Sequence, residues 1–238
     1  MATYERSGAR IYYEEHGEGF PVLLIALGGM RSAVPLWANA PWNPIDQLRG
    51  HFRVIAMDQR NAGQSTGPIG PGDGWQTYTD DQLGLMDHLG IDRFHVAGMC
   101  IGGPYALGLI QSAPQRISSA VLFQPIGREE NREAFYAMFD EWAGTLDANA
   151  EDLASFRENM YGGDEVLFNV DESFVRSCET PLCVLMGNDL YHPQSTSRMI
   201  ASLAPDARLV EEWKEGTAKA EAQATVLAFL EEYTPARA

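Results

Sequence analysis

The 238-residue sequence is poor in basic residues and has no long apolar run. Lysine and arginine together number 17 against 33 acidic residues, which gives a formal net charge of -16. An excess of negative charge repels phosphate backbones and anionic membrane surfaces, so we expect neither nucleic acid nor membrane as a partner. No apolar run approaches the roughly 18 residues of a membrane span, and the first residues lack the apolar stretch of a signal peptide. We therefore expect a cytoplasmic protein.

Cysteine is also scarce, with Cys100, Cys178 and Cys183 as its only occurrences. Their number is odd, and their spacing matches neither a disulfide framework nor paired metal ligands, so we expect free thiols. Glycine-rich motifs that bind phosphates or dinucleotides, such as G-x-G-x-x-G, are missing as well. The sequence therefore predicts a protein that uses no cofactor and no metal.

Short apolar runs that end at turns recur along the chain, and helical patterns separate several of them. The predicted buried strands are 21–27, 52–57, 94–97, 119–123 and 182–186. Such runs are typical of strands buried on both faces of a mostly parallel sheet. Amphipathic patterns over 80–89 and 101–113 fall between strands. This alternation predicts an α/β layer fold, which we expect to form one domain over 1–238.

The segment from about 128 to 175 interrupts the alternation, because two helical patterns follow each other there without a strand between them. Apolar residues at helical spacing in the first pattern are Phe135, Met138, Phe139 and Trp142. We interpret the segment as an inserted helical cap. Most of these side chains are expected to form the core of the cap itself, while one or two contribute to a largely apolar pocket.

One turn carries the strongest chemical signal. Residues 94–103 read F-H-V-A-G-M-C-I-G-G, a strand that leads through G-x-C-x-G into a helix. Gly98 and Gly102 permit close packing of the turn, whose central residue Cys100 adopts a strained backbone conformation above the sheet. The helix N-terminus favours the thiolate, whereas apolar surroundings oppose it. The pattern predicts Cys100 as a nucleophile, and an inert buried cysteine is the alternative.

With this turn in place, the chain from about Tyr12 to Tyr233 resembles the α/β-hydrolase superfamily, whose nucleophile elbow has the same form. L-G-G at 27–29 resembles the family's oxyanion segment, with leucine in place of the usual histidine. The resemblance implies an α/β-hydrolase fold, in which helices flank a mostly parallel sheet beneath a short helical cap. It also implies oxyanion-hole donors at the backbone amides of Gly29 and Ile101. Dienelactone hydrolases provide a precedent for cysteine at the elbow.

The other two members of the expected triad match the family less well. M-G-N-D at 186–189 resembles the G-x-D turn after the penultimate strand, which implies Asp189 as the triad carboxylate, although a plain turn aspartate has the same pattern. The family's histidine normally follows the last strand, yet no histidine occurs after His192. We predict that His192, three residues after Asp189, supplies the base. The alternatives are that His192 packs on Pro193 at a helix start, or that Lys214 replaces it.

These residues predict a hydrolase or acyl-transfer enzyme that acts on a small ester, lactone or thioester through a Cys100 acyl intermediate. The expected partner is a partly apolar small molecule, and a homo-oligomer is compatible with the sequence. The missing histidine leaves two further hypotheses open. One is a ligand-binding member of the fold, and the other is a non-hydrolytic enzyme such as a lyase, an isomerase or a cofactor-free oxygenase.

Overall fold

The computed structural model describes residues 2–236 and places eight strands of this range in one sheet. The strands are β1 (Ala2–Arg6), β2 (Ala9–His16), β3 (Pro21–Ile25), β4 (Arg53–Met57), β5 (Phe94–Met99), β6 (Ile117–Phe123), β7 (Leu182–Leu185) and β8 (Ala207–Val210). Their order is β1-β2-β4-β3-β5-β6-β7-β8. The pairs that involve β2 are antiparallel, and all the others are parallel. The prediction of a mostly parallel sheet is confirmed.

Helices cover both faces of this sheet. They are α1 (Pro44–Leu48), α2 (Trp75–His88), α3 (Gly102–Ser112), α4 (Arg132–Ala143), α5 (Ala150–Tyr161), α6 (Glu172–Ser177), α7 (Gln194–Leu203) and α8 (Gly216–Glu232). Successive residues of a strand point to opposite faces. Accordingly, Leu23 of β3 belongs to the same buried cluster as Leu85 of α2. Its neighbour Val22 belongs to a second cluster with Phe229 of α8. Burial on both faces explains why β3 is apolar throughout.

The segment between β6 and β7 contains α4, α5 and α6, so a third short helix follows the two that the sequence predicts. Helices α4 and α5 pack through Phe139 and Phe156, whose ring centroids lie 5.4 Å apart. Trp142 Nε1 of α4 donates a hydrogen bond to the Asn61 carbonyl oxygen at 3.1 Å, beyond the end of β4. These contacts hold α4 over the carboxyl end of the sheet. The limits 128–175 for a cap stay a prediction.

The turn after β4 is held by buried charges. Asp58 accepts hydrogen bonds from the amides of Val34 and Gln64, each at 2.7 Å. The Arg60 guanidinium donates two hydrogen bonds to Asp81, at 2.8 and 2.7 Å, and both side chains are almost fully buried. A buried ion pair requires both partners, because either charge alone would be uncompensated. Asp58 and Arg60 therefore organise this turn.

Within residues 2–236, none of the helices has both the length and the apolar composition needed to cross a lipid bilayer.

Candidate active site

Cys100 lies at the tight turn between β5 and α3, at the carboxyl end of the sheet. Its φ angle is 62°, a left-handed conformation that is costly for a residue with a side chain. The amide of Cys100 donates to the Phe123 carbonyl at 3.0 Å, and the Cys100 carbonyl accepts from the Ile126 amide at 3.2 Å. A Cβ atom at Gly98 would collide with the main chain of Gly102. Local packing therefore maintains the strained turn and presents the partly exposed Cys100 side chain above the sheet.

The loop after β7 brings Asp189 and His192 together. Asp189 Oδ1 lies 2.7 Å from His192 Nδ1 and also accepts hydrogen bonds from the amides of Tyr191 and His192, at 3.0 and 3.1 Å. Because an ionised carboxylate can only accept, His192 Nδ1 carries the proton of this pair. In the neutral ring, Nε2 is therefore the basic nitrogen.

The basic nitrogen of His192 is buried and has no hydrogen-bond partner among the described residues. The imidazole nevertheless influences the Cys100 side chain, through a hydrogen-bond interaction first and through its charge second. Burial raises the pKa of Cys100, but His192 and the amides of Gly28 and Ile101 outweigh this effect and lower it overall. Burial lowers the pKa of His192, whereas Cys100 and Asp189 raise it above its ordinary value. Both shifts favour transfer of a proton from Cys100 Sγ to His192 Nε2.

The loop after β3 approaches the same thiol. Gly28 and Gly29 both have positive φ angles, of 110° and 57°. The amides of Gly28, Gly29 and Ile101 pair with no backbone carbonyl in the part of the chain that the structure describes. The amides of Gly28 and Ile101 lower the pKa of Cys100, because donors favour its thiolate form. The predicted donors Gly29 and Ile101 therefore lie in the two loops at Cys100, and Gly28 is an addition that the sequence did not single out.

Two residues of the cap segment cover this loop. A Cβ atom at Gly29 would come within 2.5 Å of Met138 Sδ from α4. Tyr161, the last residue of α5, is fully buried, and its hydroxyl donates to Met30 Sδ at 3.6 Å. The sequence did not single out Tyr161, because this residue adjoins the apolar pattern that predicts helix α5. The only sequence signal for Tyr161 is that a residue with a hydroxyl group ends this pattern.

The loop after β8, where the family's histidine would lie, contains Trp213 and Lys214. Trp213 Nε1 donates to the Met186 carbonyl at 2.8 Å, and Lys214 Nζ donates to Asn188 Oδ1 at 2.7 Å. Burial lowers the pKa of Lys214, although the charge of Asp189 opposes this effect. Both residues brace the β7 loop.

The alternative role for His192 at a helix start can also be compared with the geometry. Helix α7 begins at Gln194 with Pro193 as its N-cap, and no side-chain hydrogen bond caps it. The His192 ring is hydrogen-bonded to Asp189 instead.

A zinc site uses three or four ligands, and the described residues contain no group of three or more His, Cys, Asp or Glu that could hold a metal ion.

Comparison with known proteins shows the family to which the chain belongs. A family model described as the alpha/beta hydrolase fold matches residues 21–170. A Yersinia enterocolitica protein named carbamate hydrolase RutD is 28% identical over 243 residues, with 86% of this chain and 83% of that protein covered. Its namesake from Azorhizobium caulinodans is 34% identical over 117 residues, and the match spans 48% of this chain but only 40% of that relative. The structure of a meta-cleavage product hydrolase from Pseudomonas fluorescens, CumD, is 19% identical and shares the fold, with a TM-score of 0.76 and 98% of both chains covered. The relatives support a hydrolase, and the chain belongs to the α/β-hydrolase family.

Proposed function

We propose that the chain is a cysteine-dependent hydrolase or acyl transferase that acts on a small ester, lactone or thioester. In this proposal Cys100 is the nucleophile, His192 is the base and Asp189 orients the imidazole. The observation that carries it is the 2.7 Å contact between Asp189 Oδ1 and His192 Nδ1, which leaves the buried Nε2 atom as the basic nitrogen of the ring. An imidazole oriented in this way, whose interaction with Cys100 lowers the pKa of the thiol, suits a nucleophile–base pair.

Acylation begins when His192 Nε2 takes the proton of Cys100 and Sγ forms a bond to the substrate carbonyl carbon. The π electrons of the carbonyl move to its oxygen, which accepts hydrogen bonds from the amides of Gly29 and Ile101. Each preorganised donor of this kind stabilises the transition state by about 3–4 kcal/mol. The tetrahedral adduct then collapses, the bond to the leaving oxygen or sulfur breaks, and His192 returns its proton to that leaving group.

Release of the acyl group repeats this sequence with a second nucleophile. His192 takes a proton from water, or from an acceptor alcohol or thiol, which attacks the thioester carbon. The C–S bond breaks and Cys100 Sγ recovers a proton from His192. When the substrate is an amide, the tetrahedral adduct expels the thiolate more easily than the amine, because the thiolate is the better leaving group. Esters, lactones and thioesters are therefore the favoured substrates. The name of the RutD relatives adds carbamates to the compounds worth testing.

Intact-protein mass spectrometry tests the proposal. Wild type, Cys100→Ala and His192→Ala are each incubated with p-nitrophenyl esters, a lactone, an acyl thioester and a p-nitrophenyl carbamate. We expect an acyl mass increase or turnover in wild type that disappears in Cys100→Ala. Cys178→Ala is the matched control, because it removes a buried free thiol and should leave the adduct intact. Absence of adduct and turnover across the panel, together with a thiol inert to iodoacetamide, would favour a ligand-binding or non-hydrolytic role.

A further inference from the structure

Three buried tyrosines from separate helices meet near the candidate site. Tyr78 comes from α2, Tyr105 from α3 and Tyr161 from α5, and none is more than 1% exposed. The ring centroid of Trp75 lies 5.0 Å from that of Tyr105 and 6.2 Å from that of Tyr161. The rings of Tyr105 and Tyr78 are 5.0 Å apart. We term Tyr78, Tyr105 and Tyr161 the tyrosine cluster.

Two hydroxyl groups of the tyrosine cluster lack a good acceptor among residues 2–236. Tyr78 Oη is buried and donates to no acceptor among the described residues. Its interaction with the Tyr105 hydroxyl lowers the pKa of Tyr78, which is the effect of accepting a hydrogen bond. Tyr161 Oη donates only to Met30 Sδ, at 3.6 Å. A thioether sulfur is a weak acceptor, and buried hydroxyls normally find a stronger one. Both hydroxyl groups could therefore donate to a stronger acceptor than the described part of the chain supplies.

One member of the tyrosine cluster lies beside the loop that approaches the thiol. Burial raises the pKa of Tyr161 well above its ordinary value, and the charges of Cys100 and Tyr78 raise it further. Met30, which contacts Tyr161, directly follows Gly29 in the loop that approaches Cys100. A substrate acylating Cys100 would therefore have part of its structure near Tyr161.

The charges around the cluster indicate the kind of acceptor. Burial raises the pKa of Tyr78 and of Tyr161, so both remain protonated donors over the ordinary pH range. Arg60 is the cation that acts on Tyr78, and its two hydrogen bonds to Asp81 neutralise it. A carboxylate at the cluster would lose its hydration without gaining a free counter-charge, which is unfavourable. A neutral oxygen atom loses far less hydration free energy when it is buried there.

We propose that Tyr161 and Tyr78 bind a neutral oxygen atom in the acyl part of the substrate, such as a ketone carbonyl. This inference rests on the function proposed above and narrows its substrate class to acyl compounds that carry an oxygen acceptor beyond the scissile carbonyl. The apolar rings of Trp75 and Tyr105 would contact the carbon atoms between the two polar groups. Tyr161 is then a specificity-determining residue.

Matched substrates test this assignment. The series is p-nitrophenyl hexanoate, its 4-oxo and 5-oxo derivatives, and the p-nitrophenyl monoester of adipic acid as the anionic member. In wild type we expect kcat/KM for at least one oxo ester to exceed that for hexanoate by about 3- to 10-fold, which is the effect of one net hydrogen bond. Tyr161→Phe and Tyr78→Phe should each bring this ratio of oxo ester to hexanoate close to one. Tyr233→Phe removes a distant hydroxyl bonded to Asp206 and should preserve the ratio.

A binding measurement separates failure of this inference from failure of the proposed function. Calorimetry on Cys100→Ala with N-phenylhexanamide and its 4-oxo and 5-oxo derivatives needs no catalysis. Tighter binding of an oxo amide that is lost in Cys100→Ala/Tyr161→Phe would support the subsite even if no ester is turned over. Turnover of esters with no oxo preference in either experiment would overturn the subsite and leave the proposed function intact. A preference for the adipate monoester over both oxo esters would overturn the assignment of a neutral acceptor.

Discussion

Replacing His192 by alanine is the most informative perturbation of the candidate site. Burial alone raises the pKa of the Cys100 thiol, and His192 is the largest influence that lowers it. Without the imidazole, burial is opposed only by the amides of Gly28 and Ile101, so the pKa of Cys100 should rise. Each unit of that rise removes about tenfold of the thiolate present at neutral pH. Loss of the general base should add to this effect, and we expect kcat/KM to fall by about 10²- to 10⁴-fold.

The assay is the rate of Cys100 alkylation by iodoacetamide between pH 5 and pH 10, followed by the mass of the intact protein. In wild type the rate should reach half its plateau below the pH expected for an ordinary cysteine. In His192→Ala this midpoint should move to higher pH. His51→Ala is the matched control, because His51 is exposed and contacts Glu231 in another part of the molecule.

An unchanged midpoint in His192→Ala, with unchanged turnover, would refute the pairing of Cys100 with His192. A wild-type midpoint at or above that of a free thiol would refute the lowered pKa of Cys100 itself. The combined effect of His192 and the two amides would then be too weak to offset burial. Alkylation of Cys100→Ala measures the background from Cys178 and Cys183, which are buried. Burial raises the pKa of both thiols, so this background should be slow.

Three further outcomes are expected. Asp189→Asn should lower kcat/KM in steady-state assays, but by less than His192→Ala does, since the base itself remains; an equal or larger loss would contradict the orienting role. Gly102→Ala places a Cβ atom 2.6 Å from a carbonyl oxygen of β3 and should cost about 1–3 kcal/mol in urea unfolding, whereas Gly72→Ala, which meets open space, should be nearly neutral. Burial, reinforced by the charge of Arg93, lowers the pKa of His95 to about 3 in the folded protein, below the value of about 6.5 in the unfolded chain. The folded state therefore favours neutral His95, and this contribution to stability is lost as the pH falls below about 6.5. Between pH 7 and pH 5 this loss amounts to about 2 kcal/mol in urea unfolding; a His95→Gln variant with the same pH dependence as wild type would contradict it.

The central strands could be predicted from the sequence because they are buried on both faces. Each of the five apolar runs forms a strand, and the errors for these strands concern where each begins and ends. Helix α2 begins at Trp75, five residues before the predicted start at 80, because Trp75 and Tyr78 are buried by residues that are distant in sequence. Strand β3 ends at Ile25, before the predicted residue 27, because the chain turns through Gly28. The start of α2 thus depends on tertiary contacts, and the end of β3 depends on a local turn; neither is part of the apolar periodicity.

Some residues of the candidate site could be predicted from local sequence, and others depend on tertiary contacts. The positions of Cys100, Asp189 and His192 follow from local motifs, since each lies in a turn directly after a strand. Gly28 and Tyr161 could not be predicted from such motifs. The Gly28 amide acts on Cys100 only because β3 and β5 are neighbours in the sheet, and Tyr161 reaches the site through the packing of α5. The pattern of helical apolar residues identifies a buried face but not which side chain on it meets the thiol.

The short separation of Asp189 and His192 has a structural consequence for the proposed chemistry. In the expected family arrangement, the carboxylate and the histidine belong to separate loops that must dock correctly. Here one turn holds both, since the Asp189 and His192 amides each donate to the other's carbonyl, at 3.3 and 3.1 Å, and the ring bond closes at 2.7 Å. Local hydrogen bonds therefore orient the imidazole, and in the proposed mechanism the β8 loop does not have to supply a proton acceptor. That loop instead provides Trp213 and Lys214, which brace the β7 turn from outside. A base on the turn of its own carboxylate can thus replace the missing histidine without any change in the order of the strands.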